Sequence, residues 1–171
     1  AAHAYVTYFG EDMPGTGAGN SAAAEQKFLA ALDGDIFMQD FEGFSSGPRK
    51  PSLVFDFNEH LQATMSGGDN LGVNNARDGR YSVGDGTEKY WQAPEGSSSF
   101  SITFNQSISG FGFYGIDIGD FGAALKIRLS NGLVFDINHM LGNNGSTSGS
   151  LLYFGLVADS PSEYFTSLEF F

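Results

Sequence analysis

The sequence predicts an all-β protein, an antiparallel jelly-roll-like β-sandwich carrying one short N-terminal α-helix. Phe is abundant at 17 residues and Gly more so at 24. Large flat side chains with many turn formers suit sheets stacked face to face. Period-two hydrophobic segments recur, about ten of them, with turn signals roughly every 8–12 residues. A single segment, near the N-terminus, has helical periodicity together with end signals. At 171 residues the chain is one domain's worth and long enough to bury a core. It divides into an N-terminal strand and Gly-rich linker (1–19), a helix (21–33) and the sandwich (36–171).

The elements follow in order. Tyr5-Val6-Thr7-Tyr8-Phe9 reads as a first strand, and Gly10 to Gly19 as a loop. The helix runs from Ser21 to Asp33, with Asn20 or Ser21 as its cap, Glu25 in its early turns and Gly34 as a C-terminal stop. Ala24, Phe28, Ala31 and Leu32 share one side of it, enough to lay it across a sheet. From Ile36 the period becomes two: Ile36 to Phe41, Leu53 to Phe57 and Leu61 to Met65 are strand-like, as are Tyr81 to Val83 and Phe100 to Phe104. Ser66 to Arg80 is the longest irregular stretch. Further strands are expected at Ile108 to Ile118, Ala124 to Leu129, Leu133 to Ile137, Leu151 to Val157 and Phe165 to Phe171. Asn131-Gly132 lies between two alternating runs, Leu125-Ile127-Leu129 and Leu133-Phe135-Ile137, which predicts a hairpin with a type I′ turn.

Composition narrows the function. Eight basic against 20 acidic residues give a net charge of −12, which argues against nucleic acid and against anionic membrane surfaces. No apolar run reaches the roughly 18 residues needed to span a bilayer. Cys is absent, so neither disulfide stapling nor thiol chemistry is available. Ala1-Ala2-His3-Ala4 has the small-residue character found around a signal-peptidase site. A mature, secreted chain with its leader removed is therefore expected.

Several motifs resemble a known class. Asn20-Ser21-Ala22-Ala23-Ala24 opens the helix after a glycine-rich loop, and Asp40-Phe41-Glu42-Gly43-Phe44 follows. Later come Phe100-Ser101-Ile102-Thr103-Phe104 and the run Ile108-Ser109-Gly110-Phe111-Gly112-Phe113-Tyr114-Gly115-Ile116-Asp117-Ile118-Gly119-Asp120-Phe121-Gly122. Tyr153-Phe154-Gly155 and Phe165-Thr166-Ser167-Leu168 close the chain. This set resembles the exported bacterial proteins of the PEP-CTERM (exosortase-sorted) class. The resemblance implies Gram-negative export, a surface or matrix location, and association with exopolysaccharide-rich biofilm. The Pro-Glu-Pro motif, apolar helix and basic residues that end such proteins do not follow Phe171.

No Gly-x-Ser-x-Gly elbow stands between a strand and a helix, and His3, His60 and His139 lie far apart, which disfavours serine nucleophiles and zinc. Calcium fits better, because it takes six to eight or so oxygens from carboxylates, Asn side chains and turn carbonyls. Asp69, Asn75 and Asp78 lie in one oxygen-rich loop, Asp117 and Asp120 at one strand end, and Glu42 could approach either. The same residues could equally be making turns. Tyr81, Tyr90 and Trp91 are the candidate platforms for stacking a sugar, with a packing role the alternative for Trp91. Phe111 to Tyr114 read as core. Tyr5, Val6, Tyr8 and Phe9 form a strand able to pair with a neighbouring copy.

The expected function is a non-catalytic secreted structural or adhesive matrix protein that self-assembles into fibres by strand pairing and is stabilised by Ca²⁺. The alternatives are a calcium-dependent carbohydrate-binding module and a hydrolase with a carboxylate pair.

Overall fold

Strands form where the side chains alternate, and alternation decides which face is buried. A computed structural model of the chain describes residues 4–45, 52–67, the main chain of 72–75, 83, 89–93, 99–116, 118, 125–137 and 149–171. The elements are β1 (Tyr5–Asp12), α1 (Gly19–Ala31), β2 (Ser52–Asp56), β3 (Gln62–Ser66), β4 (Gly72–Asn75), β5 (Lys89–Gln92), β6 (Phe100–Ile108), β7 (Gly110–Ile116), β8 (Lys126–Leu129), β9 (Val134–Asp136), β10 (Leu151–Ala158) and β11 (Phe165–Phe170). A 3₁₀ turn, Pro161–Glu163, joins the last two strands. Among the described residues no helix is long and apolar enough to cross a membrane.

Two antiparallel sheets carry the fold. The smaller has the order β1-β10-β7 and the larger β2-β3-β6-β11-β8-β9; β4 and β5 make a separate two-stranded ribbon. Ile102 and Phe104 from β6, Ile127 and Leu129 from β8, and Leu168 and Phe170 from β11 meet Leu152, Phe154 and Leu156 from β10 in one core. Aromatic rings cross between the sheets: Phe113 of β7 stands edge-on to Phe170 of β11 at 5.3 Å. Phe170 also stacks on its cross-strand partner Phe100 at 4.4 Å. The C-terminal strand is therefore central, paired on both sides, which is how its apolar end is covered.

α1 lies on the outer face of the small sheet, opposite that core. Ala24 and Phe28 of the helix pack with Tyr153 of β10. The approach is close because the sheet offers backbone there. A Cβ on Gly155 would fall 2.6 Å from Phe28 Cδ2, and one on Gly10 would fall 2.1 Å from the Asn20 carbonyl oxygen. On the same face Tyr114 donates to Glu25 Oε2 at 2.6 Å. Burial, and then the Glu25 carboxylate, push the Tyr114 phenol well above its ordinary value.

The helix cap differs from the expectation. Neither Asn20 nor Ser21 caps by its own side chain; α1 begins at Gly19, and its free N–H groups are taken by Asp12 at the end of β1. Asp12 Oδ1 accepts from Asn20 N–H at 2.8 Å, and Oδ2 accepts from Ser21 N–H at 2.9 Å and Ser21 Oγ at 2.6 Å. β1 accordingly runs three residues past Phe9, through Gly10 and Glu11, which the sequence assigns to a loop. At the other end α1 stops at Ala31, short of the expected Asp33. Gly34 at φ +99° turns the chain beyond it rather than closing the last turn.

Two further expectations are corrected. The hairpin at Asn131-Gly132 exists, but Arg128 pairs with Val134 and Leu129 accepts from Gly132 N–H at 2.9 Å. Gly132 has φ +89°, and Asn131 has no positive φ. This is a three-residue loop, a type I turn closed by a glycine bulge, in place of a type I′ turn. Ile36 to Phe41 form no strand: residues 33–40 make no backbone–backbone hydrogen bond among the described residues, and Ile36 and Met38 are exposed.

Burial alone would raise the Asp12 carboxyl, but its bonds from Ser21 and from the Asn20 and Ser21 N–H groups hold it below the ordinary 3.8. A carboxyl depressed in the folded state stabilises above its unfolded value and ceases to do so as pH falls through the folded value. Asp12→Ala is expected to cost about 1–2 kcal/mol at neutral pH, and the gap from wild type should close in acid. Thermal melts from neutral pH down past 3.8 check this, and a gap that does not change with pH would contradict it. Gly155→Ala should cost about 1–3 kcal/mol through overpacking against Phe28, partly recovered by adding Phe28→Leu; chemical denaturation of the three variants tests it.

Candidate functional site

The site is built from three pieces of chain that meet beside β7. The first is the turn after the helix. Gln39 Oε1 accepts from Phe41 N–H at 2.7 Å and Asp40 Oδ1 from Glu42 N–H at 3.0 Å. Together they hold Phe41 at φ +66°, the one non-glycine residue with positive φ among those described. Such a conformation costs about 1–2 kcal/mol, so packing must hold it. Phe41 and Phe44 both stand edge-on to Phe55 at 6.3 Å.

The second piece is β5. Its Lys89 N–H donates to Glu42 Oε1 at 2.8 Å, and Lys89 Nζ donates to the Glu42 carbonyl at 3.0 Å and to the Phe44 carbonyl. This fastens the β4–β5 ribbon to the turn and sets Tyr90 and Trp91 beside the core. Trp91 is half-buried and packs on the core, as the packing alternative has it. Yet Tyr90 Oη and Trp91 Nε1 are both buried without a hydrogen-bond partner among the described residues. An unpaired buried donor costs about 1–3 kcal/mol, and native structures hold few of them.

The third piece is β7. Asp159 N–H donates to the Ala4 carbonyl and Ala158 N–H to the Ser109 carbonyl, which fixes the phase of both ladders in the small sheet. Phe111, Phe113 and Gly115 bond inward to β10, so Gly110, Gly112, Tyr114 and Ile116 turn their main-chain groups to the other edge, which is free of a partner strand among the described residues. That edge lines a cleft of about 1110 Å³, walled further by Phe41, Phe57, Tyr90 and Trp91. Glu25, Asp33, Asp35 and Asp40 contribute acidic groups to its lining. Phe111 and Phe113 are only half-buried, and Tyr114 points to the helix face, so this run is cleft wall as well as core.

The sequence-predicted residues divide as follows. Tyr90 and Trp91 come together at the cleft. Glu42 serves as the acceptor that orders β5. Asp69, Asp78, Asp117, Asp120 and Tyr81 lie outside the described residues, and Asn75 is described only as main chain in β4. Among the described residues there is no group of three or more His, Asp or Glu able to hold a metal ion. His60 is on the surface beside Glu59, at 3.2 Å. Tyr5, Val6, Tyr8 and Phe9 lie in β1, paired with β10 of their own sheet. The sequence reading missed Lys89, Phe41 and the free edge of β7. A lone lysine and one phenylalanine among 17 give no local signal, and an unpaired edge is a property of topology.

Among the described residues the architecture is therefore mostly β, two larger antiparallel sheets and a two-stranded ribbon with one α-helix, bearing an open aromatic cleft. No protein-family model, curated protein or solved structure matches the chain.

Because the chain has a single Trp, the Lys89 staple can be read directly. Lys89→Met is expected to red-shift Trp91 fluorescence, raise its quenching by acrylamide and cost about 1–2 kcal/mol. Emission identical to wild type would show that the staple does not set the position of β5.

Proposed function

We propose that this is a non-catalytic binding protein of the bacterial surface or extracellular matrix that takes an extended polysaccharide segment in the cleft beside β7. The observation that carries the reading is a pair of donors without partners among the described residues, Tyr90 Oη and Trp91 Nε1, on aromatic side chains at the wall of a large cleft. Sugars present both apolar faces, which stack on aromatic rings, and hydroxyls, which accept from and donate to polar groups. The N–H and C=O groups on the free edge of β7 and the carboxylates among the lining residues extend the same mixed chemistry along the cleft. Secretion and the matrix location rest on the sequence resemblance. A jelly-roll arrangement of the two sheets is supported by the shared core and by the non-sequential neighbours β3–β6 and β6–β11.

The test is affinity electrophoresis of the wild-type chain through gels containing bacterial exopolysaccharides. Retardation by at least one is expected. Trp91→Ala should weaken it about tenfold, the equivalent of ~1.4 kcal/mol, with the circular dichroism spectrum unchanged. Retention unaffected by Trp91→Ala, or no retardation by any polysaccharide in the panel, would overturn the proposal.

A further inference from the structure

Among the described residues the small sheet has a second free edge, on β1. The ladder phase fixed by Asp159 N–H and the Ala4 carbonyl sends the main-chain groups of Val6, Tyr8 and Gly10 to β10. Those of Tyr5, Thr7, Phe9 and Glu11 turn outward. The Glu11 carbonyl is taken by Asn20 Nδ2 at 3.0 Å, which closes that end of the edge. Tyr5, Thr7 and Phe9 remain, with their main-chain N–H and C=O groups unpaired among the described residues.

Natural sheets protect such an edge with Lys, Pro, a bulge or short length. β1 has none of these. It pairs with β10 in unbroken register over eight residues, and Tyr5 to Gly10 contain no charge in a chain of net charge −12. Val6 and Phe9 are exposed. The larger sheet ends differently: β9 has three residues, and β2 has five and carries Asp56. The space beside β1 is open as well, a groove of about 460 Å³ between Thr7–Glu11 and the Asn20–Lys27 flank of α1.

We propose that this edge recognises itself: two copies pair β1 against β1, antiparallel, about a two-fold axis at Thr7. The geometry selects that register. Only a pairing centred on Thr7 uses the three free residues and no others, matching Tyr5 with Phe9 of the second copy, Thr7 with Thr7, and Phe9 with Tyr5. Each matched pair exchanges N–H···O=C bonds. Val6 then faces Tyr8 of the second copy between the bonded pairs. Aromatic–aromatic, Thr–Thr and aromatic–β-branched neighbours are the cross-strand pairs that stabilise antiparallel sheets. Glu11 and Asp12 fall outside the seam, so no two carboxylates oppose each other. A register centred on Tyr8 would need the Glu11 carbonyl that Asn20 already occupies. The product is one sheet continuous across the dimer, three strands from each copy, closed by its own symmetry.

Analytical ultracentrifugation of the intact chain over a concentration series tests this. A species of twice 18.3 kDa is expected for wild type. Thr7→Pro removes an outward N–H and leaves every bond to β10 in place, so it should return the mass to that of one copy. Thr7→Lys sets two cations face to face and should do the same, which keeps the test decisive if the proline variant folds poorly. The chain has no cysteine, so single cysteines report register. Thr7→Cys should oxidise to a covalent dimer, because bonded antiparallel pairs lie ~5.5 Å apart at Cα. Phe9→Cys, which faces Tyr5, should oxidise much more slowly. A wild type that stays at 18.3 kDa at every concentration, a dimer that survives both Thr7 variants, equal oxidation of the two cysteines, or open filaments would each overturn the proposal.

Discussion

The arrangement depends on how closely α1 can approach the small sheet. Phe28 sits directly on main chain because Gly155 and its cross-strand neighbour Gly112 offer no side chain beneath it. A Cβ at Gly112 would meet both the Tyr153 hydroxyl and the Phe28 ring. Close packing of this kind leaves no room for a methyl group, since protein interiors are filled to crystal-like density. The outer face of the sheet would otherwise be a pleated surface open to water. With the glycine floor it becomes a seat, and Tyr8, Tyr114 and Tyr153 close around the phenylalanine as its walls. The helix carries only a narrow apolar stripe, Ala24 and Phe28 being its buried hydrophobic residues, so its hold on the sheet comes from fit more than from area.

Asp12 binds that seat to the strand that leads into it. Its carboxylate takes both N–H groups of Asn20 and Ser21, which a helix start cannot satisfy internally. The same connection places Asn20 Nδ2 on the Glu11 carbonyl, so the helix start and the end of the β1 edge are set by one cluster. Helix, strand and edge are mechanically one piece. Moving any of them means breaking hydrogen bonds at Asp12, a residue only 5 % exposed.

The sheet pattern was legible because alternation is a local property. Phe100, Ile102 and Phe104, the two arms of the Leu129–Leu133 hairpin, and the helix around Phe28 all follow from side-chain period. What escaped depends on contacts between distant segments. Ile36 to Phe41 alternate as a strand should, but a strand also needs a partner ladder. Here Gly34 and the Asp40–Glu42 turn bend the segment, while Phe37 packs on Phe57 at 6.0 Å. The helix cap came from a residue eight positions upstream of Asn20, on a strand, where no spacing rule would look. The turn at Asn131-Gly132 shows the same limit on a smaller scale. The dipeptide marks a turn, but the Ser130 N–H that bonds across to the Ser167 carbonyl engages the loop with a neighbouring strand. For the candidate site, Tyr90 and Trp91 could be picked out by residue type; the cleft that gives them meaning could not.

Among the described residues, two places combine several unfavourable features. At the cleft these are a strained Phe41, two orphaned donors and the open edge of β7. At β1 they are an uncharged strand edge with exposed Val6 and Phe9. Elsewhere the described core is well satisfied: buried Glu11 and Asp12 have partners, and Ser21 and Ser150 bond to them. Sequences that fold reliably are consistent at every level, and departures gather where structure serves something other than folding. The two departures lie on opposite edges of one three-stranded sheet, with β10 between them and hydrogen-bonded to both. A sheet transmits its twist from strand to strand, so pairing that fixes the geometry of β1 also constrains β10 and, through it, the edge of β7 that lines the cleft. Any change at one edge would therefore reach the other through a single strand, the one on which α1 is seated at Gly155.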